Sequence, residues 1–77
     1  MNARERRRIV SALRAARGLI VDVGESFVAS SCVYRRGRPD LRTLSRGDRA
    51  IAGRHERAIV MIDRAVQIVV AEERGRR

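Results

Sequence analysis

Histidine occurs once in these 77 residues, as His55, and cysteine once, as Cys32. An imidazole can act as acid, base or metal ligand, and a thiol as nucleophile or ligand. Structural zinc takes four such ligands, of which one copy of this chain supplies two at most, so neither a metal nor another cofactor is expected. A disulfide within the chain is excluded. His55 falls among Ile51, Ala52, Ala58 and Ile59 at helical spacing. It is expected to be a core or interface histidine, hydrogen-bonded to a neighbour and sensitive to pH where that interface joins two chains. Cys32 is expected to pack as a small apolar side chain. Asp22 and Glu25 stand one helical turn apart, and Asp63 precedes Arg64. Paired carboxylates can bind a cation or share acid and base roles, but among so many arginines their expected use is ion pairing. With no glycine-rich phosphate loop and no nucleophile elbow, no catalytic residue is assigned.

Arg49 and His55 bracket residues 50–54. This spacing resembles the Arg-x(4–6)-His motif of the HEPN-type ribonucleases, helical proteins whose active sites form at a dimer interface. The resemblance covers the seven residues 49–55. It departs from the family's pattern at Ala50, where a polar residue usually follows the arginine. It implies a ribonuclease in which Arg49 and His55 form an acid/base and phosphate-stabilising pair, and ribonuclease ranks third among the functions considered.

The arginines themselves carry the strongest chemical signal. All 18 basic residues are arginine, against nine acidic ones, for a net charge of +9 and an isoelectric point near 11.7. Such a balance favours a polyanionic partner, although a GC-rich coding bias also enriches arginine, alanine and valine. The arginines gather in "RERRR" at the start, "RRGRPDLR" in the middle and "RGRR" at the end. Arg6, Arg7, Arg8, Arg35, Arg36, Arg38 and Arg42 are the candidate nucleic-acid contacts. Only Phe27 and Tyr34 are aromatic and both fall on an apolar stripe, so phosphate contact rather than base stacking is the expected mode.

Two elements must position these groups. In the first, Ile9, Leu13, Ala16, Ile20, Val23, Phe27 and Tyr34 recur at spacings of three and four, with Ser30 in the one vacant step. This predicts a helix from about Ala3 to Arg35. The competing reading is α+β, with a β-hairpin around residues 19–34 that turns at "VGES", where β-branched residues and two glycines weaken a helix. In the second, Ile51, Ala52, His55, Ala58, Ile59, Ile62, Ala65, Val66, Val69 and Val70 predict a helix over about 46–73. Residues 36–45 are the connection, rich in turn formers, and 74–77 a frayed basic tail. Asn2 with Glu5 and Ser45 with Asp48 resemble capping boxes, and Asp40 is placed to start a single turn in "DLRTL". Arg14, Arg17 and Asp22 interrupt the first apolar segment, which reads as helix rather than signal peptide. No run reaches the roughly 18 uncharged apolar residues that span a bilayer, and a reducing, cytoplasmic location is expected.

Both helices are too apolar for a hairpin. Met61 and Ile68 widen the apolar arc of the second to roughly 200°, and Val10, Val21 and Val28 add a row to the first. A chain of this size buries only about 60% of its unfolded surface, so its own core is marginal. The expected fold is therefore a single all-α domain, an antiparallel two-helix hairpin that dimerises into a four-helix bundle. Its interface is expected to contain Val10, Val21, Val28, His55, Met61 and Ile68. The expected function is that of a small oligomeric accessory or regulatory protein, not an enzyme, that binds nucleic acid through arginine–phosphate contacts. The alternative is an assembly subunit of a larger protein complex or virion, whose partner is another protein.

Overall fold

Asn2 starts the first helix as its spacing to Glu5 predicts. Its side-chain oxygen accepts from the Glu5 N–H at 2.8 Å, and its amide donates to the Glu5 carboxylate at 2.9 Å. The box thus closes between side chains instead of returning to the Asn2 backbone. The computed structural model describes residues 1–75; Arg76 and Arg77, half of the expected basic tail, lie outside the described residues. Helix α1 spans Ala3–Ser31 and passes through Gly18 and Gly24 without a break. That overturns the β-hairpin over residues 19–34. The β-branched residues there remain helical because one side of the segment, through Ile20, Gly24 and Phe27, packs on a second helix.

Helix α1 ends at Ser31 and not near Arg35. Cys32 turns extended (φ −96°, ψ 153°), its N–H donating to the Val28 carbonyl as the last helical bond. Ser30 donates its hydroxyl back to the Phe27 carbonyl at 3.1 Å. Val33, the next residue, donates its N–H to the Thr43 hydroxyl at 2.8 Å. A serine pair followed by a β-branched and an aromatic residue has little helix propensity to resist that exchange. Tyr34 consequently leaves the apolar stripe and is exposed.

The connection is itself structured. Strands β1 (Val33–Arg35) and β2 (Arg38–Asp40) pair antiparallel, with Val33 opposite Asp40, Tyr34 opposite Pro39 and Arg35 opposite Arg38. Arg36 (φ 53°) and Gly37 (φ 75°) form the two-residue turn, both left-handed, the geometry that matches the twist of a hairpin. Asp40 then caps a 3-10 turn, Leu41–Thr43, as the "DLRTL" pattern predicts. Ser45 accepts from the Asp48 N–H at 3.1 Å, and helix α2 runs Arg46–Gly75.

The two helices lie against each other as an antiparallel hairpin about 50 Å long and 18 to 19 Å across. Along α2 the inward row follows the expected stripe through Ala52, His55, Ile59, Ile62 and Val66, but Ile51, counted in that stripe, is exposed. On α1 the inward row is rotated from the expected stripe: Val10, Leu13, Ile20, Gly24 and Phe27 are covered, whereas Ile9 and Val23 are exposed. Gly24 lies on this inward row. A Cβ there would meet the His55 Cβ at 3.5 Å, an ordinary packing distance, so α1 and α2 are in contact at this point. The resulting core is thin. Leu44, 8% exposed between the 3-10 turn and α2, is the one buried apolar residue among the described residues, and no side chain is below 2% exposed.

Candidate nucleic-acid interface

The turn brings Arg35, Arg36, Arg38 and Arg42 around one shallow hollow floored by Pro39 and Asp40. Their positions follow from local chemistry. Thr43 ties the base of the ribbon, its hydroxyl accepting from the Val33 N–H and donating to the Asp40 carbonyl at 2.6 Å. Arg42 clasps Asp40 with both faces of its fork, Nε to Oδ1 at 3.1 Å and Nη2 to Oδ2 at 3.3 Å, while Arg35 Nε reaches Oδ2 at 3.4 Å. The Arg42 guanidinium and then its backbone N–H hold the Asp40 carboxyl below its usual range, helped by the charges of Arg42 and Arg35 and opposed by desolvation. The same contact raises Arg42 above its ordinary value.

Asp40 is the only carboxylate lining this hollow, against four arginines, which leaves an excess of three positive charges. It engages Arg35 and Arg42. No ion pair among the described residues engages Arg36 or Arg38, both exposed. Arg49 adds a further guanidinium to this end of the molecule, anchored by Nη2 donating to the Arg42 carbonyl at 3.1 Å. Exposed guanidinium groups match phosphate oxygens in charge and in hydrogen-bond geometry.

The opposite pole is less uniform than its sequence suggests. Arg6, counted among the solvent-facing phosphate contacts, is instead 7% exposed because it falls on the inward row of α1. Its Nη1 donates to the Met1 carbonyl at 2.8 Å, and its Nε is buried without a partner. Arg7 and Arg8 are exposed, and Arg7 lines a groove with Arg14, Val70 and Glu73.

The remaining candidates separate by position. Phe27 meets the His55 ring edge-on, with centroids 5.9 Å apart at 69°. His55 Nδ1 is sealed off and without the hydrogen bond expected of it. Arg49 is tethered to the connection, and the His55 ring packs against Phe27 of α1. Cys32 is a free, half-buried thiol just beyond α1. Asp63 pairs with Arg17 at 2.8 Å across the helices rather than with its neighbour Arg64. Val10 lines a groove with Arg14, and Val21 and Val28 line one with His55 and Glu56. Met61 and Ile68 are 68% and 69% exposed. Among the described residues no group of three His, Cys, Asp or Glu side chains could hold a metal ion, and no helix is long and apolar enough to cross a membrane.

Sequence reasoning missed the β-ribbon that builds the arginine hollow. Its trace was present in "VYRRGRPD", a β-branched and an aromatic residue before Arg-Gly and a proline after it. An Arg-Gly turn is a weaker marker than Asn-Gly or Asp-Gly. Compared with known protein families, curated proteins and solved structures, the chain has no match, so its function is argued from its own residues.

Proposed function

We propose that this is a small, self-associating protein that binds nucleic acid through arginine–phosphate contacts, in an accessory or regulatory role and without a catalytic step of its own. The observation that supports the reading is the arginine-ringed hairpin tip. Four arginines line the hollow there with one carboxylate, which pairs with two of them, on a turn held by backbone pairing and by Thr43. A two-stranded ribbon is narrow enough to enter a major groove or to follow a phosphate backbone. Tyr34 is the one aromatic side chain of the ribbon against four arginines, which favours contacts that read the backbone and depend weakly on base sequence. Arg7 and Arg8 offer a second, independent contact at the far pole.

The test is the salt dependence of binding to duplex DNA and RNA. Each phosphate neutralised on B-DNA contributes about −0.9 to the slope of log affinity against log salt. Replacing Arg35, Arg36 and Arg38 with Gln is expected to make that slope shallower by up to about 2.7 units, with the helices intact by circular dichroism. Replacing Arg7 and Arg8 measures the other pole separately. No binding at about 50 mM salt, or slopes unmoved by either set, would remove the nucleic-acid reading. The exposed apolar side chains of the helices would then favour the second reading, an assembly subunit in a larger complex.

A further inference from the structure

The large apolar side chains that the hairpin leaves in water are concentrated on one of its two broad faces. On α1, Ile9, Ala12, Ala16, Leu19, Val23, Ser26 and Ser30 follow at spacings of three and four and form a single row without one charged residue. On α2 the corresponding row is Ile51, Arg54, Ala58, Met61, Ala65 and Ile68, uncharged from Ala58 to Ile68. The Arg17–Asp63 pair fixes the sides. These two residues occupy the other flank of their respective helices, together with Val21, Val28 and Gln67. Because the helices are antiparallel, the Ile9 row and the Met61 row emerge side by side on the face turned away from that ion pair. Leu19, Val23, Met61 and Ile68 are 57 to 69% exposed on it, with alanines between them.

We infer that this face is the seat of a second copy of the chain, packed face to face so that four antiparallel helices enclose one core. The inference rests on the self-association part of the proposed function and names the surface responsible. Area is the first argument. The chain exposes 6203 Å². A folded monomer of 8.7 kDa is expected to expose roughly 4,700 Å², so roughly 1,500 Å² is in excess. That is the order of area each chain hides in an obligate homodimer, at about 1,000 to 2,500 Å² per partner. Shape is the second. Each helix carries two rows at three-and-four spacing, one used inside the hairpin and one left open, which is the pattern of a helix with two neighbours in a four-helix bundle. A lone helix would cover the groove between the open rows but not both of them; a second hairpin of equal length covers both. Charge is the third. Two copies at +9 repel, and the two rows that meet on this face carry a single arginine, Arg54 near one end, while Arg57 and Arg64 stand along the outer edge beside Met61 and Ile68. The arginine tip and the Arg17–Asp63 face stay in water.

The assignment revises the interface expected from sequence: Met61 and Ile68 belong to it, joined by Leu19, Val23 and Ile9, and Val21 and Val28 lie on the opposite flank. The experiment is light scattering and sedimentation at tens of micromolar on the full chain, on Leu19→Glu with Met61→Lys, and on Val60→Glu, an exposed residue of α2 on the other flank. The expected result is twice the chain mass for the native protein and for Val60→Glu, and a single chain for the double variant. If that variant loses helix, the milder Leu19→Ala, Met61→Ala, Ile68→Ala variant decides, with the dimer dissociation constant expected to rise at least tenfold. A native monomer, an unshifted dissociation constant, or dissociation by Val60→Glu alone overturns the inference. A native monomer that also sediments with neutral phosphatidylcholine vesicles would assign the face to lipid instead. Nucleic-acid slopes measured on the same proteins separate the two ideas, because a native monomer that keeps its arginine-dependent slope removes this inference and leaves the arginine reading in place.

Discussion

Arg36 holds φ at 53° in the turn between the strands, a left-handed conformation that costs a non-glycine residue roughly 1 to 2 kcal/mol. Asparagine tolerates this region better and is the preferred first residue of such a turn. Replacing Arg36 with Asn is therefore expected to strengthen the ribbon by about 0.5 to 1 kcal/mol, seen as slower amide exchange in residues 33–40, while the salt slope becomes shallower by about 0.9. The two readouts move in opposite senses only if the arginine is kept for its charge. A weaker ribbon would show that the arginine serves the turn, and an unchanged slope that it does not meet phosphate. Asp40 illustrates the complementary case. Its spacing predicts the cap on the 3-10 turn, yet its second duty, gripping Arg35 and Arg42, depends on the ribbon bringing Arg35 back beside it.

At the level of elements, the helix starts were legible because a cap acts within three residues, as Asn2 with Glu5 and Ser45 with Asp48 do. The end of α1 was not, because the hydroxyl that captures the Val33 N–H comes from Thr43, ten residues on. Strands of three residues are likewise too short to display a period of two. Thr43 is thus the residue on which the ribbon's placement depends. Thr43→Val keeps the shape and removes both hydrogen bonds, at an expected cost of about 1 to 3 kcal/mol to the ribbon. Amide exchange at Val33 should accelerate at least tenfold while the helical circular dichroism stays constant. Equal exchange in the two proteins would show that cross-strand pairing alone holds the connection.

The whole molecule is one layer of two helices with no fully buried side chain among those described, so its stability should depend on concentration if pairing completes the core. For a dimer of 154 residues, twice the 77 of the chain, each tenfold dilution is expected to lower Tm by about 4 °C. A Tm independent of concentration between about 1 and 100 μM would mean that the hairpin is stable alone. The mostly helical class, the two helices with their caps and the arginine-rich ends were determined by the sequence, since caps, 3.6-residue periodicity and clustered charge act over a few neighbouring residues. Only the tertiary structure decided which side of α1 meets α2, that Arg6 turns inward, and that Met61 shares a face with Leu19 and not with Val21. The physical reason is that the rotation of α1 is set by packing between residues some 30 apart in sequence, as where Gly24 and Phe27 meet His55. No local pattern records where two distant surfaces come closest.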